Sequence, residues 1–409
     1  MKKFRLAVLF FLQFFIWGAW LISLGSYLGS VLGFHGGQIG SFYATMGVTS
    51  LFMPAIMGIV ADRWIPAQKL LGICHFISAM CIVYASTQTE YASLYFAMLM
   101  AVGFYMPTIA LSNSVAYNTL ETAGLDTVKA FPPIRIWGTI GFIAAMWTVD
   151  FTGFAKSNIQ FYVSAVASVL LAVYSFTLPA CPISGKKEND SFVEAFGLKA
   201  FTLFKQKRMA IFFIFSMLLG AALQITNGFG DLYIGSFASE PIYEKTFGVQ
   251  HSVMLISLSQ ISETLCILLI PFFLRRFGIK KVMLISMFAW VLRFGLFGLG
   301  DPGAGVWMFV LSMLVYGVAF DFFNISGSLF VDKETDTSIR SSAQGLFMIM
   351  TNGFGATIGS LAAGVVIRHF VPAPATSSVG WDVAWFIFAG YAAVVGILFA
   401  IMFKYEHKR

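Results

Sequence analysis

Twelve long apolar runs divide the chain, and they constrain its fold more than any other feature of the sequence. Each run is close to the roughly 20 residues that an α-helix needs to cross a bilayer. Strands of a membrane barrel would alternate in polarity, and an open sheet cannot satisfy its edges in lipid. We therefore predict an all-α membrane protein with twelve transmembrane helices. The predicted spans are residues 4–32, 40–61, 69–87, 91–117, 134–154, 158–180, 209–238, 251–274, 281–299, 304–329, 341–368 and 381–403.

The composition agrees with a chain that uses lipid as its main solvent. Only 11% of its 409 residues are charged, against about 25% in an ordinary soluble domain. So few charges cannot cover the surface of a soluble protein of this size. The composition therefore argues against a soluble enzyme, a nucleic-acid-binding protein and a disordered scaffold.

The distribution of lysine and arginine predicts how the chain crosses the membrane. With the N-terminus inside, 22 of the 26 basic residues fall in cytoplasmic loops or termini, and three fall outside. Cytoplasmic loops carry such an excess in membrane proteins. We therefore predict a multi-pass membrane protein with both termini in the cytoplasm. The net charge of +7 is then explained by the orientation of the chain in the membrane, and no nucleic-acid partner is needed to account for it.

The longest polar stretch, residues 181–208, separates two sets of six predicted spans. We predict an N-terminal half at 1–180, a cytoplasmic linker at 181–208 and a C-terminal half at 209–409. Part of the linker, residues 191–204, has the pattern of an interfacial helix. Two halves with equal numbers of spans are typical of transporters built from repeats around a central site.

A short motif follows the second predicted span. Gly58, Asp62 and Arg63 form a G-x-x-x-D-R pattern that resembles the loop signature of the major facilitator superfamily. The pattern departs from that signature at Ile65, where a glycine is expected, and in the second half, where Arg275 replaces the acid. The resemblance implies the major facilitator fold and a loop that stabilises one conformation. A basic cytoplasmic loop with a chance aspartate is the alternative.

The four cysteines and five histidines form no recognisable cluster. Cys74, Cys81, Cys181 and Cys266 are far apart and are interpreted as small buried apolar residues. The histidines lie near predicted span ends or in the C-terminal tail, and we expect none to relay protons. We therefore predict no metal and no cofactor.

Ionisable side chains within the spans are functional candidates, because a charge in hydrocarbon costs about 2.5–3.5 kcal/mol on insertion scales. Four stand out within the spans and away from their cytoplasmic ends: Asp231, Glu263, Arg293 and Asp321. Arg135 lies close to the inner end of another span, where it could also be a snorkelling anchor. Arg293 could pair with either Asp321 or Glu263, and the sequence leaves its partner open.

Other polar and aromatic residues are spaced to share a helix face with one another or with one of these groups. The resulting sets are Arg135, Thr139 and Phe142; Gln224 and Asn227; Gln260 and Glu263; and Tyr316 and Phe320. Gln13 and Trp17 on the first span share a face as well. They could form a lid over the substrate cavity, or they could serve interfacial aromatic packing. Amide and aromatic pairs also serve helix packing, so each set has a structural alternative. Amides, carboxylates and a guanidinium beside aromatic faces are suited to bind a nucleoside. The composition of the site leaves an oligosaccharide as an alternative substrate.

Longer stretches in both halves carry a more specific resemblance. They are FPPIRIWGTIGFI at 131–143, KRMAIFFIFSMLLGA at 207–221, LQITN at 223–227, QISETL at 260–265, AFDFFNISGS at 319–328, MTNGFG at 350–355 and FIFAGY at 386–391. With these stretches the whole chain resembles the bacterial nucleoside:proton symporter family. The resemblance implies that nine residues contact the nucleoside: Arg135, Thr139, Phe142, Gln224, Asn227, Gln260, Glu263, Tyr316 and Phe320. It implies Asp321 as the proton-linked acid.

Together these observations predict a transporter rather than an enzyme. A carboxyl group held in low dielectric favours its neutral form, so it can take up a proton outside and release it inside. Asp321 is the first candidate for this role and Glu263 the second. We expect proton-coupled nucleoside uptake by alternating access, by a monomer in contact with lipid, with the substrate near the midplane between the halves. A sugar symporter is the main alternative, and a membrane enzyme would usually show a nucleophile and base that we do not find.

Overall fold

The computed structural model describes residues 2–183, 198–336 and 339–405, and across these residues the chain is helical without a strand. The α-helices, in chain order, are α1 (Lys2–Gly18), α2 (Leu24–Ser26), α3 (Gly36–Arg63), α4 (Ala67–Ser86), α5 (Tyr91–Glu121), α6 (Thr127–Phe151), α7 (Ile159–Ser175), α8 (Lys207–Ser236), α9 (Phe247–Gln250), α10 (Ser252–Leu299), α11 (Val306–Glu334), α12 (Arg340–Met348), α13 (Ala356–Phe370) and α14 (Trp381–Met402). Two π-helical segments, Tyr27–Val31 and Ile349–Gly355, and three short 3₁₀ segments, Phe154–Lys156, Leu198–Lys205 and Phe237–Ser239, complete the pattern.

Eight helices within the described part of the chain are long and apolar enough to cross a membrane. They are Gly36–Arg63, Ala67–Ser86, Tyr91–Glu121, Lys207–Ser239, Ser252–Leu299, Val306–Glu334, Ser342–Phe370 and Trp381–Met402. This finding agrees with an all-α, multi-pass membrane protein. The count of twelve spans stays a prediction.

The chain forms two compact units. The first combines residues 1–27 with 48–196, and the second combines 28–47 with 197–409. In the first unit α1 packs on α6, and α4 packs on α5 and α7; in the second, α10 packs on α11 and α14. Half of the predicted linker, including residues 191–197 of the predicted interfacial helix, lies outside the described residues. The part of that helix that is described belongs to a 3₁₀ segment.

Several helix ends differ from the predicted ones. The predicted first span runs to residue 32, but α1 ends at Gly18 and the chain continues through turns into a π-helix. The predicted fifth span begins after two prolines, whereas α6 begins at Thr127 with both prolines inside it. Asp126 favours the early start, because its side-chain Oδ1 atom accepts a hydrogen bond from the backbone N–H of Lys129 at 3.4 Å, as an N-cap residue does. The helix is therefore established before the prolines remove any donor.

Residues 275–280, which separate the eighth and ninth predicted spans, are mostly helical. A single run, Ser252–Leu299, contains both spans, and only Gly278 departs from helical geometry, with φ of 76° and ψ of 168°. A positive φ is accessible to glycine without strain, so one residue is enough to turn the chain here. We refer to residues 252–277 and 279–299 as the first and second arms of α10.

Candidate functional site

The predicted stripe of the first unit lies on α6, against α1. The Arg135 guanidinium lies 4.0 Å from the centroid of the Phe14 ring and 5.9 Å from that of Phe10. Phe142 is buried and meets the Trp17 indole edge-on, with centroids 6.3 Å apart. Arg135 therefore has aromatic faces as neighbours, and such contacts stabilise a guanidinium more strongly where water is excluded.

The depth of this stripe along α1 is set by backbone contact. A Cβ atom on Gly141 would overlap the carbonyl oxygen of Phe11, and one on Gly18 would overlap that of Phe142. Small residues allow helices to approach this closely in membrane proteins. Thr139, between Arg135 and Phe142 on the same face, stays partly exposed.

A buried polar network that the sequence did not predict lies beside this stripe. The Gln13 amide donates a hydrogen bond to the Thr108 hydroxyl at 2.7 Å, and its carbonyl oxygen lies 2.8 Å from His75 Nε2. The other ring nitrogen of His75 lies 3.2 Å from the Ser168 hydroxyl. The Tyr105 hydroxyl donates to the backbone carbonyl of Gln13 at 2.6 Å. These side chains, fully buried or nearly so, connect α1, α4, α5 and α7.

The sequence places His75 near the inner end of a predicted span and gives it no partner, and the structure differs. His75 is completely buried within α4, not at a span end. Its partners come from α1 and α7, at sequence distances of 62 and 93 residues. A usable signal was present, since an ionisable residue and a glutamine both fall within apolar runs, and buried polar groups need partners.

In the second unit, Gln224 and Asn227 lie on α8. Gln224 is buried, and its side-chain oxygen has no hydrogen-bond partner among the described residues. A buried acceptor without a partner costs roughly 1–3 kcal/mol unless another molecule satisfies it. One turn beyond Asn227, Asp231 accepts a hydrogen bond from the Ser252 hydroxyl at 2.5 Å. Asp231 is thus engaged within the protein, while Gln224 retains bonding capacity.

Two carboxyl groups meet where the first arm of α10 packs on α11. Asp321 is buried, with 4% of its surface exposed, and its Oδ2 atom has no hydrogen-bond partner among the described residues. Glu263 is partly buried and lies close enough to Asp321 for the two groups to interact electrostatically. Gln260, one turn before Glu263, is also partly buried. The structure therefore brings both candidate proton carriers into one cluster.

Tyr316 and Phe320 form a parallel aromatic pair on α11. Their ring centroids are 5.8 Å apart, and the ring planes differ by only 8°. Tyr316 also lies within electrostatic reach of Glu263 and Asp321. Phe320 lines a narrow cleft, of about 30 Å³, that Trp290 and Asn324 line as well. The predicted aromatic and acidic residues of α10 and α11 are thus neighbours.

Arg293 does not pair with either candidate acid. Within the described residues its guanidinium donates to the carbonyl oxygen of Ser312 at 2.7 Å and contacts the Ser259 hydroxyl at 3.4 Å. The guanidinium also lies over the rings of Trp290, Phe297 and Tyr316. The sequence left open whether Arg293 pairs with Asp321 or with Glu263. Among the described residues it pairs with neither.

The motif of Gly58, Asp62 and Arg63 lies at the end of α3 rather than in a loop. The helix continues to Arg63, and Asp62 is exposed. A basic residue in the last turn interacts favourably with the helix dipole. The turn that follows is short, since α4 begins at Ala67. Across the described residues no group of three or more His, Cys, Asp or Glu side chains could hold a metal ion.

Known proteins resemble this chain over its whole length. Residues 1–408 match the family described as "Nucleoside H+ symporter". The chain is 51% identical to the nucleoside permease NupG of Escherichia coli (strain K12), covering 100% of this chain and 97% of that protein. It is 50% identical to the xanthosine permease of the same organism, over 98% and 96% of the two chains. A crystal structure of the nucleoside transporter NupG superposes with a TM-score of 0.92, at 50% identity, and covers 99% and 100% of the two chains.

Proposed function

Because this chain belongs to the nucleoside H+ symporter family, we propose that it imports nucleosides together with protons across the bacterial cytoplasmic membrane. One observation supports the coupling of uptake to protons. A carboxyl group, Asp321, is buried beside a second carboxyl group, Glu263, and next to an aromatic pair in an apolar helix bundle. A transporter driven by protons needs an acid that can change its charge inside the membrane, and the burial of this cluster supports Asp321 in that role.

We propose that both predicted sets of residues contact the nucleoside during transport. Flat aromatic faces stack on a nucleobase, at roughly 1–3 kcal/mol per base. Amide, hydroxyl and carboxylate groups bond to the edge of the base and to the ribose hydroxyls. The proposed contacts are Arg135, Thr139 and Phe142 in the first unit and Gln224, Asn227, Gln260, Glu263, Tyr316 and Phe320 in the second. The bonding capacity left on Gln224 supports its place in this set.

Asp321 is the proposed proton carrier, with Glu263 as the second candidate. Moving one charge through 100 mV releases about 2.3 kcal/mol. At 1.4 kcal/mol per tenfold change, that energy supports an accumulation of about fifty-fold. One proton per nucleoside is therefore sufficient for uptake against a useful gradient.

The finer architecture is part of the same proposal. We infer twelve spans in two halves, 1–180 and 209–409, with residues 181–208 between them and both termini in the cytoplasm. The excess of basic residues in the inner loops supports this orientation. Alternating access would make the motif of Gly58, Asp62 and Arg63 a determinant of one conformation. A monomer is sufficient for this mechanism.

The decisive test is uptake of labelled uridine into proteoliposomes with an imposed acid-outside gradient. We expect accumulation above the external concentration, and a protonophore should abolish it. Uptake that only equilibrates, with or without the gradient, would remove the coupling role from the carboxyl cluster. Lack of uridine uptake by folded protein, combined with uptake of a labelled disaccharide, would favour a sugar symporter instead.

A further inference from the structure

Arg293 is a charged residue outside the proposed substrate contacts, and it lies deep inside the second unit. Only 2% of its surface is exposed, on the second arm of α10. A buried charge needs other groups to replace its lost water. Its hydrogen-bonding partners in the described residues are the neutral groups of Ser312 and Ser259, at 2.7 and 3.4 Å. These two contacts leave most of the guanidinium surface to other neighbours.

Three aromatic rings are further neighbours of the guanidinium. The guanidinium carbon lies 4.7 Å from the ring centroid of Tyr316, 5.6 Å from that of Phe297 and 6.0 Å from that of Trp290. A cation over an aromatic face is attracted by the ring quadrupole, and more strongly when water is excluded. Trp290 also meets Tyr316 edge-on, with the planes at 89°. The shortest of these contacts joins Arg293 to Tyr316, a proposed substrate residue.

The orientation of Tyr316 bears directly on Phe320. The two rings are nearly parallel, as described above, so a rotation of Tyr316 would remove the face on which Phe320 stacks. Phe320 in turn lines the cleft together with Trp290 and Asn324. Arg293, Tyr316 and Phe320 therefore form a chain of contacts from a buried charge to the cleft.

We propose that Arg293 is a positioning residue for transport: it orients the Tyr316–Phe320 pair on which the nucleobase stacks, and so sets the affinity for substrate. The inference rests on the proposed nucleoside contacts, since Arg293 acts through Tyr316. It also requires arginine specifically. A guanidinium is planar and stacks on a ring while donating sideways, whereas the lysine ammonium is a compact point charge.

Uptake kinetics of labelled uridine in proteoliposomes test this role. Arg293→Met removes the charge and the planar group but keeps an apolar side chain of similar reach. We expect KM to rise about tenfold, within the range of a desolvated cation–π contact. The maximal rate per folded transporter should stay within about twofold of the native value, because the carboxyl cluster is intact. Arg293→Lys should also raise KM, by about threefold, since it keeps the charge but loses the stacking plane.

A matched control separates positioning from general destabilisation. Phe330→Leu truncates a fully buried ring on the same helix, fourteen residues or roughly 21 Å beyond Tyr316. We expect it to lower the amount of folded protein without changing KM. A native KM in Arg293→Met with reduced folded protein, as in this control, would overturn the inference and leave Arg293 a structural residue. A native KM in Arg293→Lys would show that charge alone suffices, and it would overturn the stacking role.

A double variant identifies the route of the effect. If Arg293 acts through Tyr316, then Arg293→Met combined with Tyr316→Leu should raise KM no further than Tyr316→Leu alone. Independent, multiplying effects would refute the proposed route. Asn227→Ala separates this failure from failure of the substrate site. If Asn227→Ala and Tyr316→Leu raise KM while Arg293→Met does not, only the positioning role is wrong; if none of the three changes KM, the substrate site itself is misassigned.

Discussion

Replacing His75 by phenylalanine should destabilise the first unit by a predictable amount. The His75 ring makes two side-chain hydrogen bonds, to Gln13 at 2.8 Å and to Ser168 at 3.2 Å. Hydrogen bonds between membrane helices contribute about 0.6–1.7 kcal/mol each, so losing both should cost roughly 1–3 kcal/mol. Phenylalanine keeps a planar ring, somewhat larger than imidazole, so no cavity is left. A second substitution separates the loss of the hydrogen bonds from any strain caused by the larger ring.

The structure also predicts which second substitution restores stability. His75→Phe leaves the Gln13 side-chain oxygen buried without its histidine donor, and an orphaned acceptor is the expensive part of a broken pair. Replacing Gln13 by leucine as well removes that acceptor. Thr108 loses its amide donor, but its own hydroxyl still donates to the Tyr105 carbonyl oxygen at 2.5 Å. The variant Gln13→Leu with His75→Phe should therefore recover most of the lost stability.

Thermal unfolding in detergent micelles, followed by intrinsic fluorescence at several heating rates, measures these differences. Ser78→Ala is the matched control, because Ser78 lies on the same helix and donates a single hydrogen bond to the Ala101 carbonyl at 2.9 Å. We expect a smaller shift in Tm for this control than for His75→Phe. Equal Tm values for His75→Phe and the native protein would refute the reasoning, and so would a double variant less stable than His75→Phe.

Three further outcomes follow from other parts of the molecule. Asp321→Asn should abolish gradient-driven accumulation of uridine while leaving exchange of labelled for unlabelled uridine, and accumulation by this variant in proteoliposomes would exclude Asp321 as the carrier. Gly141→Val should sharply reduce the yield of folded protein, because the valine side chain would overlap the Phe11 carbonyl oxygen. A purified variant with the native yield of folded protein and the native KM for uridine would contradict this packing. Burial and the nearby Arg368 lower the pKa of His35, so the unfolded chain takes up its proton first as the pH falls, and stability should decline below about pH 6.5. His35→Gln should flatten that part of the pH dependence of Tm, and an unchanged profile would contradict the assignment.

The helical architecture was predictable because lipid leaves few alternatives. Continuous apolar runs require helices, and the runs beginning near residues 91 and 381 match α5 and α14 closely at their first residue. The family assignment was predictable for a different reason, since long stretches of specific sequence occur in both halves. The match to the nucleoside H+ symporter family over residues 1–408 confirms it.

Contacts between distant helices were not predictable from spacing. Helical periodicity placed Tyr316 and Phe320 on one face, and the structure shows them stacked. Periodicity within one helix carries no information on the helix that packs against it. The partners of Arg293 and His75 therefore stayed open or were missed, since each depends on how separate segments meet.

Helix ends depended on single residues whose effect is local. The Asp126 side chain caps α6 before the two prolines at which the sequence predicts its beginning, and Gly278 alone turns the chain between the eighth and ninth predicted spans. In both cases the hydropathy pattern was correct and the end was not. Hydropathy records which residues prefer lipid, while capping and backbone freedom decide where a helix stops.

The glycine contacts between α1 and α6 have a consequence for engineering substrate preference. Gly141 and Gly18 fix the depth of α6 against α1 by backbone contact, so the frame of the Arg135 stripe does not depend on the stripe's own side chains. Side chains on that stripe can therefore be varied while backbone contact holds the two helices together, provided that position 142 keeps an apolar side chain that packs against Trp17. A library restricted to Arg135, Thr139 and Phe142, with both glycines retained, should yield many folded transporters whose selectivities differ.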